Sequence, residues 1–129
     1  MSVELKYLAL VSVFTAVMWI PYILNTCMVR GLIEAVGYPA NPKPLAPWAT
    51  RMKAAHYNAV ENLVVFAALV LIANAVGAKS EATAMACIIY FWARVAHFLA
   101  YTFAIPWVRT LAFTVGFGCQ ITLACRILA

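Results

Sequence analysis

Residues 81–104 read EATAMACIIYFWARVAHFLAYTFA. The run is long enough to cross a bilayer, since a helix needs about 20 residues to span the hydrocarbon core, yet it carries Arg94 near its middle. Upstream, residues 49–76, ATRMKAAHYNAVENLVVFAALVLIANAV, form a second apolar stretch that holds Glu61. An ionisable side chain at membrane depth costs roughly 2.5–3.5 kcal/mol on insertion scales, so it survives where a polar partner or a ligand compensates it. A site is therefore expected where Arg94 and Glu61 meet.

The composition agrees with a membrane setting. Of 129 residues, 67% are hydrophobic and 10% are charged, with a mean hydropathy of +0.93. A soluble domain of this size would expose more apolar surface than water tolerates. Nine Lys and Arg face four Glu, for a net charge of +5. In a soluble chain that balance would suggest nucleic acid; here anionic headgroups or an anionic ligand are the natural counter-ions, and no nucleic-acid partner is expected.

Four spans follow from apolar length: Leu5–Met28, Ala49–Val76, Glu81–Ala104 and Trp107–Leu128. The first lacks the signature of a cleaved signal peptide and reads as a retained helix. Pro21 predicts a kink within it and a locally freed carbonyl, with Asn25 one turn on. Residues 31–48 carry Gly37, Pro39, Pro42, Pro44 and Pro47 and read as an ordered loop rather than helix. Residues 77–80 and the Ile105-Pro106 break are tight turns, so spans two to four are antiparallel neighbours. The reading is one all-α integral membrane domain over 1–129, a four-transmembrane-helix bundle with up-down topology. Arg30, Lys43, Arg51, Lys53 and Arg109 share one side against Lys6, Lys79 and Arg126 on the other, which favours a cytoplasmic long first loop and both termini outside.

Polar residues cluster on two stripes. In the second span Arg51, Asn58 and Glu61 lie on roughly one face, with Asn62 a turn past Asn58; a polar packing seam would account for the amides, whereas a carboxylate argues for function. In the third, Arg94, His97 and Tyr101 recur at i, i+3 and i+7. An Arg94–Glu61 ion pair would hold the two helices together and set the floor of a cleft. Arg109 opens the fourth span, where the helix dipole opposes a cation unless an anion compensates it, so it is either an anion or thiolate holder or a snorkelling topology residue. Cys27, Cys87, Cys119 and Cys125 show no CxxC spacing and read as small packing residues, and two histidines without Asp argue against a metal site.

The combination of Arg51, His56, Asn58 and Glu61 with Arg94, His97 and Tyr101, then Arg109-Thr110 just past a proline turn, resembles the family of membrane-associated proteins in eicosanoid and glutathione metabolism (MAPEG) over essentially the whole chain. The resemblance implies a homotrimer with one glutathione-sized site at each subunit interface, opening to the cytoplasm. By it, Arg51, Asn58, Glu61, Arg94 or His97, Tyr101 and Thr110 would line the tripeptide, with Arg30 and His56 reaching in from the neighbouring subunit, and Arg109 would stabilise the glutathione thiolate. The departures are Ala54 and Tyr57 where some members are basic, and Asn62 and Phe113 where tyrosine occurs. They argue against an eicosanoid-specific activity and for the short bacterial branch, in the inner membrane. The expectation is a glutathione transferase or peroxidase acting on hydrophobic electrophiles or lipid hydroperoxides from the bilayer. The alternatives are a non-enzymatic lipid-binding or scaffold protein of the same family, and a small four-helix transporter in which Glu61 exchanges protons.

Overall fold

A computed structural model describes residues 1–129, entirely as helices and connections. The order is α1 (Val3–Val17), α2 (Trp19–Arg30), α3 (Leu32–Val36), α4 (Pro47–Ala75), α5 (Glu81–Thr102) and α6 (Pro106–Leu128). Four helical stretches, α1 with α2, α4, α5 and α6, are long and apolar enough to cross a membrane. Their ends lie within two residues of the expected spans.

The break between α1 and α2 falls at Met18, and Pro21 explains the place. A proline has no N–H for the carbonyl four residues back, and its ring crowds that carbonyl. The carbonyl in question belongs to Val17, the last residue of α1. Met18 turns its own N–H to Thr15 at 3.3 Å, a tightened turn that bends the span without interrupting it.

The long connection departs from expectation in holding a one-turn helix, α3. All four of its prolines come after Val36, so the first residues are free to coil. Two bonds pin the rest to α2: Arg30 Nε donates to the Lys43 carbonyl at 2.8 Å, and the Ala46 N–H donates to Asn25 Oδ1 at 3.1 Å. Asn25 thus fixes where α4 begins.

The two later turns use one device. Helix α4 ends in a Schellman turn with Gly77 at φ +71°, the Ala78 N–H reaching the Ala73 carbonyl at 2.8 Å. Helix α5 ends in the same turn, Ile105 to Ala100 at 2.8 Å and Ala104 to Tyr101 at 3.3 Å. Its left-handed position is occupied by Ala104 at φ +58°, where glycine would be unstrained.

Helix α5 packs along α6, and α4 touches α1, α2, α5 and α6. One core layer joins Val11, Phe66, Val70, Cys87, Tyr90, Cys119 and Leu123, with Phe66 stacked on Tyr90 at 3.7 Å. A second joins Met18, Tyr22, Phe98 and the small α4 residues Ala49, Ala55 and Ala59, which let helix backbones approach closely. Cys87 and Cys119 are buried packing residues with free thiols, as expected of them. Near the opposite membrane face, Glu4 is 4% exposed and accepts a 2.6 Å bond from Thr83 Oγ1, pinning α1 to the first turn of α5. Only 29 of 129 residues are buried, so most of the apolar surface faces outward, toward lipid or another subunit.

Candidate functional site

The site grows from the α5 stripe. Arg94 and His97 are each 2% exposed, held inside the bundle by α4 and α6. Arg94 Nη2 donates to Asn58 Oδ1 at 2.8 Å and lies 3.4 Å from His97 Nδ1. Its Nε has no partner in the chain, nor does the buried Tyr90 hydroxyl one turn below. Asn58 is itself steadied by Asn62, whose side-chain amide donates to the Asn58 carbonyl at 2.9 Å. Gln120 of α6 donates to the Asn62 carbonyl at 3.2 Å, so α4 is gripped from both neighbours.

The expected Arg94–Glu61 contact does not form. Residues three apart on a helix fall about 60° short of a full turn. With Asn58 turned to Arg94, Glu61 is carried to the outer face of α4, where it is exposed. The other carboxylates are also elsewhere: Glu4 is on Thr83, while Glu34 and Glu81 are exposed at their helix starts. Arg94 is therefore a buried cation whose partner is an amide.

Above Asn58 and His97 a cleft of about 280 Å³ opens toward the loop side, lined by Asn58, His97, Tyr101, Arg109, Thr110 and Phe113. The Arg109 guanidinium lies 4.7 Å from the centroid of the Tyr101 ring, a cation–π contact that aims it without neutralising it. His97 and Tyr101 meet edge to face at 5.7 Å. Tyr101 and Arg109 also form one wall of a smaller cleft of about 190 Å³, completed by Arg51, Ala100, Ala104, Ile105 and Pro106. Arg51 is held there by its Nε, which donates to the Thr102 carbonyl at 2.9 Å.

The chain thus gathers Asn58, His97, Tyr101, Arg109 and Thr110 around one cleft, with Arg94 behind it and Arg51 beside it. It does not bring Glu61, Arg30 or His56 there. Arg30 is on the loop carbonyl of Lys43, and His56 Nδ1 lies 2.8 Å from the Tyr22 hydroxyl. Sequence reasoning passed over Gln120, Tyr90 and Glu4. Gln120 and Tyr90 are polar groups inside apolar runs, the signal that singled out Arg94 and Glu61, whereas Glu4 stands just ahead of the expected first span, two residues before Lys6 in sequence.

Both clefts are smaller than the 300–1,000 Å³ or so of ordinary ligand pockets, and both are open on their outer side. Three guanidinium groups, Arg51, Arg94 and Arg109, stand in or behind them, and none is bonded to a carboxylate. Such a place attracts anions.

The MAPEG family model matches residues 8–129. No curated protein and no solved structure matches the chain.

Proposed function

The chain belongs to the MAPEG family, and on that footing we propose that it is a membrane-bound glutathione transferase with peroxidase activity, working as a homotrimer in a bacterial inner membrane with its long first loop in the cytoplasm. The observation that carries the reading is the uncompensated set of guanidinium groups around the Asn58–Tyr101–Arg109 cleft. Glutathione brings two carboxylates and a thiol that ionises, and it suits a site rich in arginine and free of acid.

Arg109 acts on the thiol. A free thiol has a pKa of about 8.5, and a guanidinium beside it favours the anion. Held over the Tyr101 ring with no hydrogen-bond acceptor in the chain, Arg109 keeps its donors for the sulfur. Arg51 and Arg94, the latter through Asn58, serve the carboxylates. Glu61, outward on α4, remains for the glutathione ammonium once a second subunit closes the cleft, with Arg30 and His56 supplied from that subunit.

With an electrophile the thiolate sulfur forms a bond to carbon, and the leaving group departs with its electron pair. With a lipid hydroperoxide it attacks the terminal oxygen. The O–O bond breaks, the alkoxide takes a proton to become an alcohol, and a second glutathione reduces the sulfenic acid to disulfide and water. The exposed apolar flanks of α6, including Leu111, Phe113 and Phe117, give such substrates an approach from the bilayer.

The test is a thiolate absorbance titration of the purified protein with glutathione. Arg109→Ala should leave affinity within a few-fold while the bound thiol's pKa rises toward about 8.5. Turnover with a generic electrophile should fall at neutral pH and recover partly in alkali. No thiolate band in the parent protein would replace this reading with the non-enzymatic lipid-binding one.

A further inference from the structure

Away from the arginine clefts, a groove of about 490 Å³ runs along the outer side of α1, walled by Ala9, Val13, Phe14 and Val17, with Phe91 of α5 across from them and Lys6 at its outer end. Its size falls within the 300–1,000 Å³ or so of ordinary ligand pockets. None of these residues lines either arginine cleft. Positions 6, 9, 13 and 17 follow one another at the three- and four-residue steps of a single helical face. The floor is fixed by aromatic contacts: Phe14 meets Phe91 edge to face at 6.3 Å and Phe98 at 5.5 Å, and Phe91 meets Tyr7 at 5.8 Å. A preformed groove spares its occupant the cost of ordering the walls.

The groove is one leaflet long. From Lys6 to Val17 the helix rises about 16 Å at 1.5 Å per residue, and half of a hydrocarbon core about 30 Å thick is about 15 Å. Val17 is the last residue of α1 and stands at the middle of the 28-residue apolar stretch Val3–Arg30, so the groove ends near the bilayer midplane, at the Met18 break. At the other end Lys6 is exposed on the face opposite the long loop. Glu4, the nearest acid in sequence, is turned inward to Thr83 at 2.6 Å and leaves that ammonium unanswered. A cation at headgroup depth draws anionic lipid, and here an apolar channel of the length of one acyl chain leads away from it.

From the leaflet-long apolar groove, its fixed aromatic floor and the free cation at its headgroup end, we infer that α1 and Phe91 form a specific site for one anionic phospholipid in the leaflet away from the long loop. Its phosphate sits on the Lys6 ammonium. One acyl chain lies over Ala9, the smallest residue of the wall, and its methyl end reaches Val17. The bound chain completes the packing of α1, which α4 and α5 cover only in part. The assignment does not depend on the glutathione reading.

The test takes the full chain from bilayers of equal phosphatidylglycerol and phosphatidylcholine with the same acyl chains, without glutathione, into mild detergent for native mass spectrometry of the retained lipid. The parent protein should keep one lipid per chain, with phosphatidylglycerol favoured several-fold. Lys6→Gln should bring that ratio toward one. Ala9→Phe, which fills the groove, should lower retention of both lipids several-fold. Lys6 and Ala9 are both exposed, so the bundle core is untouched by either change. Arg126→Gln, a charge on the same membrane face away from the groove, should leave both amount and preference in place. Equal retention of the two lipids by the parent, full retention by Ala9→Phe, or a preference lost as readily with Arg126→Gln as with Lys6→Gln overturns the site in favour of diffuse attraction. A parent oligomer that holds no lipid and falls apart with Ala9→Phe overturns it in favour of a second copy seated in the groove.

Discussion

Arg94 and Asn58 should be energetically coupled, and Arg94 and Glu61 should not. In Asn58→Ala the Arg94 Nη2 loses its 2.8 Å acceptor and keeps only His97 Nδ1 at 3.4 Å, while Nε is unpaired already. Hydrogen bonds to charged groups are worth about 1.5–3 kcal/mol in water-soluble proteins. Double-mutant cycles inside a membrane protein average about 0.6 and reach about 1.7 kcal/mol. A charged, 2% exposed donor belongs at the upper end of that range, so a coupling of about 1–2 kcal/mol is expected for Asn58–Arg94. Arg94→Leu should be the milder single change, because it removes the buried charge and leaves Asn58 Oδ1 the Asn62 amide at 3.4 Å. The cycle Asn58→Ala, Arg94→Leu and both is measured by reversible unfolding in mixed detergent and dodecyl sulfate micelles, with Glu61→Gln and Arg94→Leu as the control cycle. Additivity within about 0.5 kcal/mol for Asn58–Arg94, or a coupling above about 1 kcal/mol for Glu61–Arg94, would refute the assignment of Asn58 as the partner.

Glu4→Ala should destabilise the fold by about 1–2 kcal/mol by removing the bond that ties α1 to α5, the Thr83 hydroxyl then falling back on the Ser80 carbonyl at 2.9 Å, and Glu4→Gln should recover most of that loss in the same unfolding assay. Ala104→Gly should raise stability by up to about 1 kcal/mol, since it relieves the left-handed backbone strain at φ +58°; a loss of stability would mean that the alanine methyl contributes packing greater than the strain. Native mass spectrometry in mild detergent should find a trimer, and a stable monomer would remove the interface site from the proposed function. Glu61→Gln should leave the unfolding of the bundle within about 0.5 kcal/mol of the parent while weakening glutathione binding, read by calorimetry.

The spans were legible because apolar length is a one-dimensional property. Only the ends moved, and by amounts that capping and proline placement decide. The Pro21 bend was legible for the same local reason, and α3 was missed because the count of prolines in the loop outweighed their position after Val36. The α5 stripe was legible as a period, and Arg94, His97 and Tyr101 do share a face. Which residue of α4 meets Arg94 was not. Asn58 and Glu61 differ by about 60° of helical phase, and only the packing of α4 against α5 and α6 sets that phase. The Asn62–Gln120 and Glu4–Thr83 bonds were out of reach for a different reason: each joins residues far apart in sequence, 58 positions in one case and 79 in the other, with no local pattern linking them.

Glu61 and the half-open clefts belong to one physical problem. Residue 61 is near the midpoint of α4, which runs from Pro47 to Ala75, and its carboxylate is exposed with no partner in the chain. Facing hydrocarbon there, it would cost several kcal/mol, of the order of the 2.5–3.5 or so measured for charges at a helix centre. The clefts over Asn58 and beside Arg51 are open on their outer side and hold cations without anions. A second copy of the chain, placed against the outer face of α4 as the proposed trimer requires, would remove both costs together. With glutathione bound as proposed, it would take Glu61 out of lipid and give it the ammonium of the tripeptide, whose carboxylates would answer the arginines. In that arrangement neither the charge nor the cavity is a defect of the subunit; each is the complement of something the subunit does not contain.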